Sequence, residues 1–138
     1  MTSPLYNEIT EDNIRLMVDC FYEKVRQDAH LAPMFNPMLD GRWEQHMPKM
    51  YAFWSSVLLA SGQYRGNPVR KHYLVQNLKP EDFSHWLELF KSNLTEIYTP
   101  EITEKIYTSA VRIGQVMKYK LFVAPVEKGW TLPLAARD

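Results

Sequence analysis

Apolar residues recur at steps of three and four in four separate stretches of this chain, and no stretch alternates apolar with polar at every second position. The first stretch is Ile14, Met17, Val18, Phe21 and Val25, and the second is Met50, Phe53, Trp54, Val57 and Leu58. The third is Phe83, Trp86, Leu87, Phe90, Leu94 and Ile97, and the fourth is Ile102, Ile106, Ala110, Ile113 and Met117. Such steps put one apolar stripe on a helix, whereas a half-buried strand needs a step of two. The expected fold class is therefore all-α. Start signals agree with the stripes. Thr10 reads as an N-cap before Glu11 and Asp12, Pro80-Glu81-Asp82 opens the third helix, and Thr99-Pro100-Glu101 opens the fourth. Pro33 and Pro37 mark a loop after the first helix, Asp40-Gly41 opens the second apolar segment, and Gly62 and Gly66 end it. Asn67-Pro68 reads as an N-cap followed by proline at the first helical position, so a short helix carrying His72 is expected. Pro125, Gly129 and Pro133 break any pattern beyond Ala124. The division is thus one domain over 1–123, long enough for its own core, and an irregular tail over 124–138.

Several function classes lose their footing at once. Sixteen basic and sixteen acidic residues cancel, which leaves no electrostatic case for nucleic acid or an anionic membrane surface. No run approaches the ~20 apolar residues of a membrane span, and the polar, acidic start of the chain has no signal-peptide core. Cys20 is the only cysteine, so no intrachain disulfide framework exists, and its place beside Phe21 reads as a buried structural thiol. A cytoplasmic protein is expected. The chain has no Gly-rich phosphate loop, no serine nucleophile elbow, no paired-cysteine zinc pattern and no Glu-x-x-His repeat for a di-iron bundle.

What remains is a pair of histidines on different apolar segments, His46 and His72, each backed by aromatic residues rather than by other metal ligands. A zinc or di-iron centre needs three or four convergent side chains. Iron in a macrocycle already has four nitrogens and asks the protein for one strong axial ligand. His72 is the candidate for that ligand; its alternative is a solvated histidine beside Arg70 and Lys71. Those two cations suit the anionic rim of a macrocycle, and ordinary solvation is the competing reading. His46 precedes Met50 by four residues and Trp54 by eight, which places all three on one helical face. It is then a gate or hydrogen-bond partner over the far side of a cofactor, or simply a helix-edge residue. Tyr22 and Trp86 lie on the apolar flanks of two long helices and carry donors that need partners when buried. Facing a bound diatomic molecule, both donate to it; otherwise they are amphipathic residues at the edge of the core. His30 and His85 read as solvated. Asp82 and His85 have the spacing of a paired ligand motif, with no matching pair elsewhere.

Taken in order, the stretches Phe21 to Val25, Pro33 to Asn36, Trp43 to His46, Phe53-Trp54, Pro68 to His72 and Trp86 to Phe90 resemble the truncated haemoglobins, and within them group III. The resemblance covers roughly residues 5 to 123. It implies a shortened globin, a two-over-two helical sandwich around haem b, with His72 as the proximal iron ligand. Tyr22, His46 and Trp86 match the distal polar set, and Phe35 the aromatic packed on the haem face. Phe21, Met50, Phe53 and Trp54 would line the distal side and its surroundings. The implied function is binding of oxygen, nitric oxide and carbon monoxide at a five-coordinate haem. Two strong donors slow ligand release, which favours oxygen-dependent chemistry such as nitric oxide detoxification over bulk transport. The chain has no flavin or nicotinamide domain, so a separate reductase is implied. The alternatives are a peroxidase-like haem enzyme, a diatomic-ligand sensor and a cofactor-free helical interaction domain. One departure concerns Pro48, two residues after His46. It calls either for a helix starting near Met47 or for one starting near Gly41 that bends just past His46.

Overall fold

Thr10 starts the first helix by the mechanism its sequence predicts. In the computed structural model of the chain, which describes residues 4–64 and 79–123, α1 runs Glu11–Gln27. The Thr10 N–H donates to Asn13 Oδ1 at 2.9 Å and the Asn13 N–H donates back to Thr10 Oγ1 at 3.2 Å. This capping box satisfies two of the orphan donors of the first turn. The stripe Ile14, Met17, Val18, Phe21 and Val25 is buried, as expected.

The segment read as a loop with Pro33 and Pro37 is instead a helix, α2, Ala32–Leu39. Pro33 sits in its first turn, where a missing N–H costs nothing, and Asp28 supplies the start from outside. Asp28 Oδ2 accepts the Leu31 N–H at 2.8 Å and the His30 N–H at 3.0 Å. Helix α3, Trp43–Leu59, contains Pro48 in its interior. It starts nearer the Gly41 alternative than the Met47 one, and the Glu44 carbonyl loses its ladder donor at Pro48. Trp54 is buried and Met50, Phe53 and Leu58 are partly so, but Val57 faces outward, 38% exposed, against expectation. The helix ends on Ala60, whose φ of 55° is left-handed.

Helix α4, Pro80–Ile97, and helix α5, Pro100–Lys118, begin at the two prolines the sequence marked. A π-helical turn, Tyr119–Val123, continues from α5 and buries Leu121 against Phe83 and Met117. α1 pairs with α3 and α4 with α5, and the pairs meet through α1–α4 and α3–α5 contacts, which is the two-over-two arrangement. No strand forms among the described residues. The N-terminal segment makes only a bridge, with the Tyr6 N–H donating to the Ile97 carbonyl and the Thr99 N–H to the Tyr6 carbonyl, both at 2.9 Å.

Rings run through the middle of the sandwich. Trp86 stacks on Phe90 at 4.9 Å and Phe90 on Trp54 at 5.0 Å, nearly coplanar at 13° and 17°. Phe21 meets Trp86 and Phe90 edge-on, each at 5.1 Å. Among the described residues no helix is long and apolar enough to cross a membrane. The short helix expected after Asn67-Pro68, with Arg70, Lys71 and His72, lies outside the described residues, as does the tail 124–138.

Candidate functional site

Five helices border a partly open cavity of about 180 Å³. Tyr22 reaches it from α1, Phe35 from α2, and His46, Met50, Phe53 and Trp54 from α3. α4 contributes Asp82, Phe83, Trp86 and Leu87, and α5 contributes Ile113, Gly114 and Met117. Of the sequence-chosen residues that are described, all but Phe21 line this space; Phe21 stands behind it, 1% exposed, as the edge support for Trp86 and Tyr22.

The distal residues meet because of helical spacing on three elements. Tyr22 follows Phe21 on α1, so it leaves the core stripe toward α3. There the His46 ring meets it edge-on at 5.2 Å and 88°, and Trp43 and Phe35 flank it at 5.9 and 6.2 Å. His46 is itself edge-on to Trp43 at 6.0 Å. Burial alone pushes the Tyr22 hydroxyl far above its ordinary value, so it is an O–H donor at neutral pH. Trp86, on α4, brings an indole N–H that can only donate.

The walls fit a flat, largely apolar group. Aromatic rings and the adaptable Met50 and Met117 make up most of the lining, and its polar side chains include Tyr22, His46, Trp86 and Asp82. A wider groove on the outside of α1 and α2 shares Tyr22 with the cavity, but its walls carry Asp19, Glu23, Arg26 and Asp28. Arg26 covers Trp43 there at 4.7 Å, closing the outer side of the Tyr22 cluster. Charge and openness make that groove a poor host for an apolar plane, which leaves the cavity as the candidate site.

One arrangement escaped the sequence reading. His30 and His85, expected to be solvated, stack face to face at 4.4 Å and 13°. His30 Nε2 lies 2.6 Å from Asp82 Oδ1, and His85 Nε2 lies 2.8 Å from Asp28 Oδ2. Burial pushes the Asp28 carboxyl up, but the Leu31 N–H, the His85 ring and the His30 N–H outweigh it and hold the group below the ordinary carboxylate range. The Asp82–His85 spacing was the only local signal, and it pointed to a shared metal rather than to partners on another segment.

Comparison with known proteins agrees with this architecture. The bacterial-like globin family matches residues 4–118. The chain is 36% identical over 121 residues to "Group 3 truncated hemoglobin ctb" of Campylobacter jejuni, covering 83% of this chain and 95% of that protein. The crystal structure of a group III truncated hemoglobin from Campylobacter jejuni superposes with a TM-score of 0.81 at 32% identity, covering 87% of this chain and 97% of that one.

Proposed function

Because the chain belongs to the bacterial-like globin family, and within it to the group III truncated haemoglobins, we propose that its cavity holds haem b and uses a bound diatomic gas for chemistry. Membership of the family makes it a haem-binding, ligand-binding protein. Bound in the cavity, haem supplies an iron with a free position for oxygen, nitric oxide or carbon monoxide. The observation that carries the finer reading is the buried Tyr22 side chain, its ring edge-on to His46, in a largely apolar space that Trp86 also lines.

Tyr22 and Trp86 are the distal donors in this reading. A hydrogen bond in a dry pocket is stronger than in water, and it favours a ligand on which negative charge develops. His46 holds the Tyr22 ring in place, and Phe35, Phe53 and Trp54 keep water out. His72 is the proximal ligand, with Arg70 and Lys71 at the anionic rim. Donors of this strength retain the gas, which suits turnover better than delivery. In nitric oxide detoxification one nitric oxide and one dioxygen become one nitrate, the added electron coming from a separate reductase. A peroxidase-like reading has one observation in its favour, the carboxyl of Asp82 on the cavity wall.

The absorption spectrum of the haem-loaded protein tests the reading. A Soret band that shifts on reduction and again with carbon monoxide is expected, lost in His72→Ala and kept in His85→Ala. Retention in both variants sinks the axial assignment, and turnover of nitric oxide with a supplied reductant separates enzyme from carrier.

A further inference from the structure

Asp82 is 8% exposed and lines the cavity, yet its side-chain partner, His30, is 42% exposed at the surface. A buried carboxyl in an apolar wall is costly unless its oxygens are satisfied. Here Oδ2 accepts the Lys79 N–H at 2.8 Å, which leaves Oδ1 to His30 Nε2 at 2.6 Å. Asp82 also precedes Trp86 by four residues, so the two share one face of α4.

We propose that His30 and Asp82 form a proton path from solvent into the cavity. The inference rests on the haem reading above in its peroxidase-like form, because reduction of peroxide to water consumes protons that an apolar space cannot supply, whereas oxidation of nitric oxide to nitrate consumes none. His30 takes a proton from water at Nδ1 as its Nε2 proton passes to Asp82 Oδ1. The Asp82 carboxyl then releases a proton into the cavity and returns to the carboxylate. His30 resets by losing the Nδ1 proton to water and regaining one at Nε2 as its half-exposed ring swings out. No electron moves, and one proton leaves the solvent for each proton delivered. Imidazole suits the outer station because its ordinary titration lies nearest neutral pH.

The surrounding groups hold the relay in register. Asp28 accepts the His30 N–H, which fixes its backbone, and takes the ring of His85 at 2.8 Å. His85 in turn stacks on the His30 ring. Among the described residues, Asp28 from the α1–α2 turn and Asp82 and His85 from α4 are the titratable groups that contact His30. His30 and His85 are therefore crossed: each bonds the aspartate of the other's segment, and a shift of α4 relative to the turn breaks both bonds together.

Two readouts on the full-length protein test the path. Solvent exchange of the Trp86 indole N–H, followed by NMR with and without haem, reports proton access to the cavity without requiring turnover. The pH profile of hydrogen peroxide consumption by the haem-loaded protein reports delivery. In His30→Ala and Asp82→Asn both rates are expected to fall on the order of a hundredfold, the usual reach of a placed acid–base group. Added imidazole restores His30→Ala and leaves Asp82→Asn unchanged. His30→Gln keeps a polar side chain without acid–base capacity and behaves as His30→Ala. Wild-type indole exchange in His30→Ala, failure of imidazole to restore it, or wild-type behaviour of His30→Gln overturns the proposal. A missing Soret band overturns the haem reading instead, and the exchange measurement still decides the proton path.

Discussion

Tyr22 shows how one side chain acquires a function from its depth. A phenol in water has a proton to lose, but with Phe35, Trp43 and His46 around it Tyr22 has no solvent to stabilise the anion, and the hydroxyl stays a donor. The same desolvation strengthens whatever bond that donor makes. Tyr22→Phe and Trp86→Phe should therefore each speed oxygen dissociation by roughly ten- to a hundredfold, the rate equivalent of one hydrogen bond of about 1.5–3 kcal/mol to a charged acceptor. Stopped-flow displacement of oxygen by carbon monoxide measures this, and an unchanged rate in both variants removes them from the distal set. Asn93 makes a similar argument in the core. It is fully buried, its Nδ2 donates to the Met17 carbonyl at 3.0 Å and its Oδ1 accepts from Lys24 Nζ at 2.8 Å. Asn93→Leu takes this donor from the buried Met17 carbonyl, while Lys24 keeps Glu96 at 2.7 Å, and should lower stability by about 1–3 kcal/mol in urea unfolding.

At the scale of the element, what was legible depended on whether the determining contacts were local. The stripes of α1, α4 and α5 and the starts at Thr10, Pro80 and Pro100 involve neighbours within a few residues, and each appears where the sequence placed it. α2 did not, because two prolines in eight residues outweigh local helix propensity and its start depends on Asp28 upstream. Val57 fits the α3 stripe by spacing but turns outward, since which face of α3 is covered is decided by α1 and α5. The His30–Asp82 and His85–Asp28 pairs join residues 52 and 57 positions apart, and no period in the chain encodes such a pairing. The end of α3 carries a local defect of its own. Ala60 holds a left-handed φ of 55° that glycine adopts freely. Ala60→Gly should raise stability by about 0.5–1 kcal/mol, the relieved strain less the added freedom of the unfolded chain, visible as a higher melting temperature.

Across the whole molecule, acid is expected to act through Asp28. Its folded carboxyl titrates below the ordinary value, so the unfolded chain binds the proton more readily. The stabilisation is therefore fully present above the unfolded value of about 3.9 and is lost as pH falls through the lowered folded value. Urea midpoints measured from neutral pH into that window should fall more steeply for the wild type than for Asp28→Asn; parallel curves would show that the turn between α1 and α2 contributes nothing to acid stability. This turn matters beyond its size because it joins α1 to α4 through both histidine pairs.

The Trp86–Phe90–Trp54 stack carries a consequence of a different kind, an optical one. Two of the four tryptophans in the chain stand in a single column of rings, and both form part of the cavity wall. Excitation deposited in either indole lies within a few ångströms of whatever pigment occupies the cavity, and a strongly absorbing pigment drains it before it can be emitted. The apoprotein should therefore glow under ultraviolet light and darken in proportion to occupancy, so that the protein acts as its own indicator of loading.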